Sequence, residues 1–156
     1  MTARRRARRL APMTTFTAIA PSAAGPQAVL DVLTDPVAAA RWSPVGFRLA
    51  EDTPRLLPGA RVRLVGEFAG RPVGFDVDVH EADAGRLTLT ADGPVGFDVR
   101  YDVHATDAGS RIAASVAVRP RPGPLGRLIA SATRSMLAAG ALDRTVSRIA
   151  RDATCA

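Results

Sequence analysis

Residues 97–129 read FDVRYDVHATDAGSRIAASVAVRPRPGPLGRLI, and the fold turns on this stretch. Phe97, Val99, Tyr101 and Val103 alternate with Asp98, Arg100, Asp102 and His104. After Asp107-Ala108-Gly109 the alternation resumes, with Ile112, Ala114, Val116 and Val118 on one face. Arg111, Ala113, Ser115, Ala117 and Arg119 occupy the other. A period of two on both sides of a glycine turn predicts an antiparallel hairpin with one apolar and one charged face. The turn sets His104 beside Arg111 and Arg100 beside Ser115. Pro120, Pro122 and Pro124 end the alternation. Beyond them Leu125, Leu128, Ile129, Ala132, Met136, Ala139, Leu142, Val146 and Ile149 recur at helical spacing. Arg127, Arg134, Arg144, Arg148 and Arg151 line the opposite side. The spacing predicts one helix over 124–151, about 40 Å long, that must lie across a sheet or a partner. Gly140 interrupts it, so that either the backbone kinks there or something packs closely.

Toward the N-terminus the period of two continues. Leu87 and Leu89 face inward on a short strand over 86–91, before the turn Asp92-Gly93-Pro94. Val73, Phe75, Val77 and Val79 share a face, opposite Asp76, Asp78 and His80. Val62, Leu64, Gly66 and Phe68 share another. A hairpin centred on Gly70-Arg71 pairs Arg63 with Asp78, Arg61 with His80 and Leu64 with Val77, bringing apolar to apolar and placing Arg63 against an acid. Thr34-Asp35-Pro36 caps and starts a short helix that ends near Trp42, ahead of Pro44. A second short helix covers 27–33, and residues 14–20 alternate weakly as a first strand. PVGF occurs at 44–47, 72–75 and 94–97. The unequal spacings exclude a solenoid, and each copy opens a strand.

The chain of 156 residues is 47% hydrophobic and 23% charged, which suits one domain and excludes wholesale disorder. No apolar run approaches the ~18 residues of a membrane helix. The lone cysteine, Cys155, excludes an intrachain disulfide and a multi-cysteine zinc site. All 21 basic residues are arginine, and Arg4, Arg5, Arg6, Arg8 and Arg9 crowd the first nine positions. Without those five, 16 arginines face 15 acids, so the net charge of +6 belongs to the tail. Residues 1–12 read as a disordered extension, with Met13 a candidate start, ahead of a single domain over 13–152. A phosphate-binding arm, an export signal and a vector-derived addition are the other readings of the tail.

The order of strand, two short helices, six antiparallel strands and long terminal helix resembles the Bet v 1-like, or START-like (SRPBCC), helix-grip superfamily. Within it the chain looks most like the bacterial polyketide cyclase/dehydratase and lipid-transport branch. The carriers are Leu33-Thr34-Asp35-Pro36, Trp42 with Pro44, Gly59, Gly70-Arg71, Asp107-Ala108-Gly109-Ser110-Arg111 and Gly123-Pro124-Leu125. Family members often carry Gly-Thr where this chain has Gly109-Ser110. The resemblance implies an α+β fold, a curved antiparallel sheet of about seven strands gripping the terminal helix around a cavity. It implies no particular reaction, because the superfamily mixes enzymes, carriers and sensors.

Among the positions assigned to the inward face of the sheet, Tyr101 alone carries a polar atom, so it is the one candidate catalytic group. His80, His104, Asp76, Asp78, Asp98 and Asp102 alternate onto the outer face, away from any substrate they would have to touch. No metal site and no cofactor are expected. Small inward residues, Gly66, Ala91 and Ala114, leave volume among valines and phenylalanines. The expected ligand contacts are Trp42 at the entrance, Phe68, Phe75, Phe97, Tyr101, Ala114, Met136 and Gly140. The sequence therefore predicts a cytoplasmic protein, monomer or homodimer, that binds an apolar, aromatic or lipid-like small molecule. It predicts no specific nucleic-acid partner and no integral membrane association. The alternative is a polyketide cyclase/dehydratase-type enzyme, in which the cavity positions the substrate and Arg41 or Arg48 serves at the mouth. Because five unpaired arginines cannot build a core, a chain started at Met13 is expected to keep its thermal midpoint within a few degrees of the full-length value. A larger drop in a melting experiment overturns the reading of the tail.

Overall fold

The computed structural model describes residues 14–42, 47–49, 55–68 and 71–154, and of Ala40, Arg41, Trp42, Phe47, Arg48, Leu49, Phe68 and Arg71 it describes the backbone. The arginine tail lies outside the described residues. The chain runs β1 (Thr14–Ser22), α1 (Pro26–Thr34), α2 (Pro36–Trp42), β2 (Phe47–Leu49), β3 (Arg61–Phe68), β4 (Arg71–Asp83), β5 (Arg86–Asp92), β6 (Gly96–Thr106), β7 (Gly109–Arg119), α3 (Pro124–Ala138) and α4 (Ala141–Thr154). The strands form one sheet in the order β1-β7-β6-β5-β4-β3-β2, every neighbouring pair antiparallel. Six strands carry it, and β2 adds a three-residue edge. This is the expected helix-grip α+β fold.

Alternation explains the two faces of the sheet. Ile112, Val118 and Leu87 are wholly buried on the concave side, each stabilising the fold by about 1.5–3 kcal/mol. The convex side carries ion pairs: Arg61–Asp78 at 3.1 Å, Arg63–Asp76 at 2.9 Å, Arg119–Asp98 at 3.2 Å and Arg86–Asp102 at 2.8 Å. Each exposed pair is worth at most about 1 kcal/mol. The β6–β7 register is the one expected, His104 opposite Arg111 and Arg100 opposite Ser115. The β3–β4 register differs from expectation by two residues: Arg61 faces Asp78, Arg63 faces Asp76 and Leu64 faces Phe75. A two-residue slip preserves which face each side chain takes, so the apolar pattern cannot distinguish the two registers. In the observed one both arginines meet acids. Between Val79 and Glu81 the β4–β5 register shifts, leaving His80 as an extra residue. Such a bulge bends a strand, and β4 is the longest in the sheet at 13 residues.

Hydroxyls and one carboxylate tie the helices to this frame. Asp35 caps α2, its Oδ1 accepting the Val37 N–H at 2.9 Å. Ser110 donates to the Ala24 carbonyl at 2.7 Å, and Ser22 donates to the Ala150 carbonyl at 3.0 Å. The second bond fastens the end of β1 to α4.

The terminal helix departs from the single rod expected. It is two helices, parted at Ala139–Gly140, with Gly140 at φ +92°. The Ala139 N–H bonds the Ser135 carbonyl and the Gly140 N–H the Leu137 carbonyl, which closes α3 as a glycine-terminated helix does. Space at Gly140 is open, with Asp143 and Arg144 side-chain atoms nearest at 3.8 Å. Glycine serves the backbone here, at a positive φ that side-chain-bearing residues rarely adopt. The break also resets the helical phase. In α4 the expected Leu142, Val146 and Ile149 are buried, whereas α3 buries Gly126, Ile129, Ala130, Thr133 and Leu137. Leu125 and Leu128, expected inward, are 49% and 63% exposed. The helix is turned by about one residue, ~100°. A side chain at Gly126 would meet the Pro94 and Arg121 carbonyls at 2.6 and 2.8 Å, so the small residues form the side that can approach the protein. Gly140→Ala should cost about 1–2 kcal/mol, because an L-residue is strained at this φ. Urea unfolding measures it, and an unchanged midpoint would show that the turn does not need glycine.

Candidate functional site

Strand pairing arranges the concave face in rows. One row runs Ala18, Ala114, Tyr101 and Leu87 across β1, β7, β6 and β5. The next runs Phe16, Val116, Val99, Leu89 and Val79. The third runs Val118, Phe97, Ala91, Val77 and Val62. Phe75 and Leu64 follow on β4 and β3. The first row is buried throughout, since α1 packs on β5, β6 and β7 and α4 packs on β1. Beyond it the burial loosens: Phe16, Leu64, Leu89, Phe97 and Val99 are only half-buried although they point inward, and so is Met136 on α3. The reason is the course of α3. It approaches β1 and β7 sparsely and, among the described residues, makes no extensive backbone approach to β3, β4, β5 or β6. The half-buried apolar side chains therefore gather on the part of the sheet that α3 approaches sparsely, beyond the fully buried Tyr101 row.

The expected contacts divide accordingly. Phe75 and Phe97 meet with ring centroids 5.8 Å apart, at a tilt of 43°, across a strand that carries only Ala91 between them. Tyr101 and Ala114 are each 3% exposed and are paired in register in the fully buried row. Met136 lies at the margin of α3. Gly140 sits at the helix break, with Asp143 and Arg144 side-chain atoms nearest. The side chains of Trp42, Phe68, Arg41 and Arg48 lie outside what is described. Sequence reasoning passed over Thr133, which α3 buries on the side it turns inward. The small residues Gly126 and Ala130 were the signal for that side, and the leucines outweighed them.

Electrostatics separate the two faces. Burial pushes the Tyr101 phenol well above its ordinary pKa, so Tyr101 stays protonated and can act only as a donor or a neutral acceptor. On the convex face burial raises the Asp102 carboxyl, and hydrogen bonds from Arg100 at 2.7 Å and Arg86 at 2.8 Å outweigh it, leaving a net downward shift. His80 is exposed and shares a 3.0 Å hydrogen bond with Thr90, and His104 is exposed near the far turn. Among the described residues no three acids, histidines or cysteines gather as metal ligands, and no helix is long and apolar enough to cross a membrane. A polar groove along α4, lined by Asp143, Arg144, Ser147, Arg148 and Arg151, is the solvent face of that helix.

Residues 13–153 match the model of the family described as polyketide cyclase / dehydrase and lipid transport. The chain belongs to this family. Solved structures agree with its fold. A protein of Thermus thermophilus superposes with TM-score 0.66 at 13% identity, over 91% of this chain and 98% of that one. A START superfamily protein of Mycobacterium smegmatis gives 0.54 at 19%, over 88% and 98%. DynU16, from the dynemicin biosynthetic locus, gives 0.58 at 21%, covering 90% of this chain and 47% of the other. No curated protein sequence matches. Membership in the polyketide cyclase / dehydrase and lipid transport family, with its START-like grip, supports a protein that binds hydrophobic small molecules.

Tyr101 is the chain's single tyrosine, so tyrosinate absorbance reports it alone. A phenol whose pKa is raised on folding stabilises the native state below the unfolded pKa of about 10, and that stability is lost as pH rises through the folded value. No tyrosinate signal is therefore expected in the native protein at about pH 10, and its onset should coincide with loss of structure. Free titration near pH 10 in the folded chain would contradict the burial.

Proposed function

We propose that the chain is a carrier or sensor that holds an apolar, aromatic or lipid-like molecule in an apolar hollow beneath α3, floored by the sheet and closed at one end by the Tyr101 row. One observation carries this reading: Leu64, Leu89, Phe97, Val99 and Met136 point into the interior yet remain half-buried, in a fold that otherwise seals its inward side chains. Apolar surface left accessible inside a protein is stabilised by an apolar guest. The lining also favours binding over chemistry. Asp76, Asp78, Asp98, Asp102, His80 and His104 all belong to the convex face, and Tyr101 is held neutral.

The second reading, a cyclase or dehydratase that folds a polyketide-like substrate, takes its support from the family description and from the biosynthetic locus of DynU16. Tyr101 is the inward proton donor it would use.

Ethylnaphthalene, an uncharged apolar probe, should bind the wild-type chain in a calorimeter. Ala114→Leu fills the row beside Val99 and should abolish that binding at a stability cost of about 1–3 kcal/mol. Tyr101→Phe should weaken a hydroxylated naphthalene by about 1 kcal/mol if the phenol bonds it. A wild-type chain that binds no apolar probe, or an Ala114→Leu variant that binds normally, removes the hollow as a binding site.

A further inference from the structure

Four threonines lie in the described helices, and three behave alike. Thr34, Thr145 and Thr154 each turn the hydroxyl back on their own helix and donate to the carbonyl four residues earlier, at 2.9, 2.9 and 2.7 Å. This is the usual refuge of a helical threonine. Thr133 does otherwise. It is 4% exposed, as buried as Thr34, and its Oγ1 has no hydrogen-bond partner among the described residues. The other buried side-chain atoms in that condition are Arg119 Nε and Arg134 Nε. Both belong to half-buried residues, and the first stands 3.2 Å from Asp98. Thr133 is thus the fully buried residue among them. A buried hydroxyl without a partner is destabilising unless something supplies the missing bond.

Position says where that something lies. At ~100° per residue, Gly126, Ile129, Ala130, Thr133 and Leu137 share one arc of α3, with Thr133 near its middle and half-buried Met136 at its margin. This is the arc that α3 turns toward the sheet it touches only sparsely. Thr133 thus lies on the face of α3 that packs inward, on the same side of the sheet as the half-buried Phe97, Val99 and Met136.

We propose that Thr133 is the polar anchor of the ligand site: its Oγ1 donates a hydrogen bond to a carbonyl or hydroxyl oxygen of a neutral, otherwise apolar guest. The guest is neutral because a carboxylate facing one hydroxyl on an apolar floor would be desolvated without compensation. The inference rests on the ligand-binding reading above and adds to it the place and chemistry of the polar contact. It also gives the guest an orientation, with its oxygen toward α3 and its hydrocarbon against Phe97 and Val99.

The test uses the full chain and two matched probes, acetylnaphthalene, which carries the carbonyl, and ethylnaphthalene, which lacks it. Thr133→Val keeps the shape and removes the hydroxyl. The expected result is about fivefold weaker binding of acetylnaphthalene, the worth of one neutral hydrogen bond, with ethylnaphthalene changed less than about twofold. Thr133→Ser should restore the preference for the carbonyl probe. The thermal midpoint of ligand-free Thr133→Val should stay level or rise, since an unpartnered buried hydroxyl has gone. Equal changes for both probes, no change for either, or a lowered midpoint overturns the anchor and leaves the binding reading standing. A wild-type chain that binds neither probe overturns both.

Discussion

The pairing of β1 with β7 is the contact on which the rest of the structure depends. It joins the start of the domain to the last strand, from Thr14 opposite Val118 to Ser22 opposite Ser110. Closing so long a loop costs entropy before any contact repays it, and a continuous ladder of hydrogen bonds repays it here. The pairing lays Ala18 and Ala20 beside Ala114 and Ile112, and α4 packs against β1 along that buried apolar strip. Ser22 then reaches the Ala150 carbonyl and Ser110 the Ala24 carbonyl, so the same junction fixes α4 and the entry to α1. With α1 and α4 seated over one end of the sheet, the other end is left to α3, and the apolar side chains there stay half-buried.

What could be read from the sequence was whatever a period of two determines. The concave and convex faces, the β6–β7 register and the segregation of acids to the convex side all follow from alternation and one tight turn. Alternation determines parity only, so it could not tell the observed β3–β4 pairing from one displaced by two residues. The helical end was harder for a different reason. Leucine dominates a helical stripe when residues are weighed by hydrophobicity, yet close approach to backbone carbonyls rewards glycine and alanine, and α3 is rotated to present Gly126 and Ala130. A glycine in a helical pattern fits both a close contact and a break, and the open space around Gly140 shows that the break prevailed. Thr133 was invisible for the same reason: a threonine attracts notice only after its burial and its missing partner are known.

The convex face explains why so many charges bear so little on chemistry. Arginines and aspartates face one another across strands and along them. Arg119 lies between Asp92 and Asp98, and Asp102 between Arg86 and Arg100. Planar guanidinium groups suit this sharing, because each presents several N–H donors at fixed angles. The network neutralises the acids where they stand and leaves the concave side to apolar groups, with Tyr101 and Thr133 as its polar exceptions in this part of the fold.

The break at Gly140 also divides helical cooperativity. One unbroken helix from Pro124 to Thr154 would propagate order along its whole length, so that seating one end would hold the other. Instead there are segments of 15 and 14 residues, each near the length at which a helix alone in water is marginal. Each must therefore be held by its own packing. The α4 segment has β1, β7 and α1 against it, whereas α3 has sparse contact with β1, β7 and α4. Order in the two terminal helices is accordingly held unevenly, and α3 is the segment with the less extensive packing of the two.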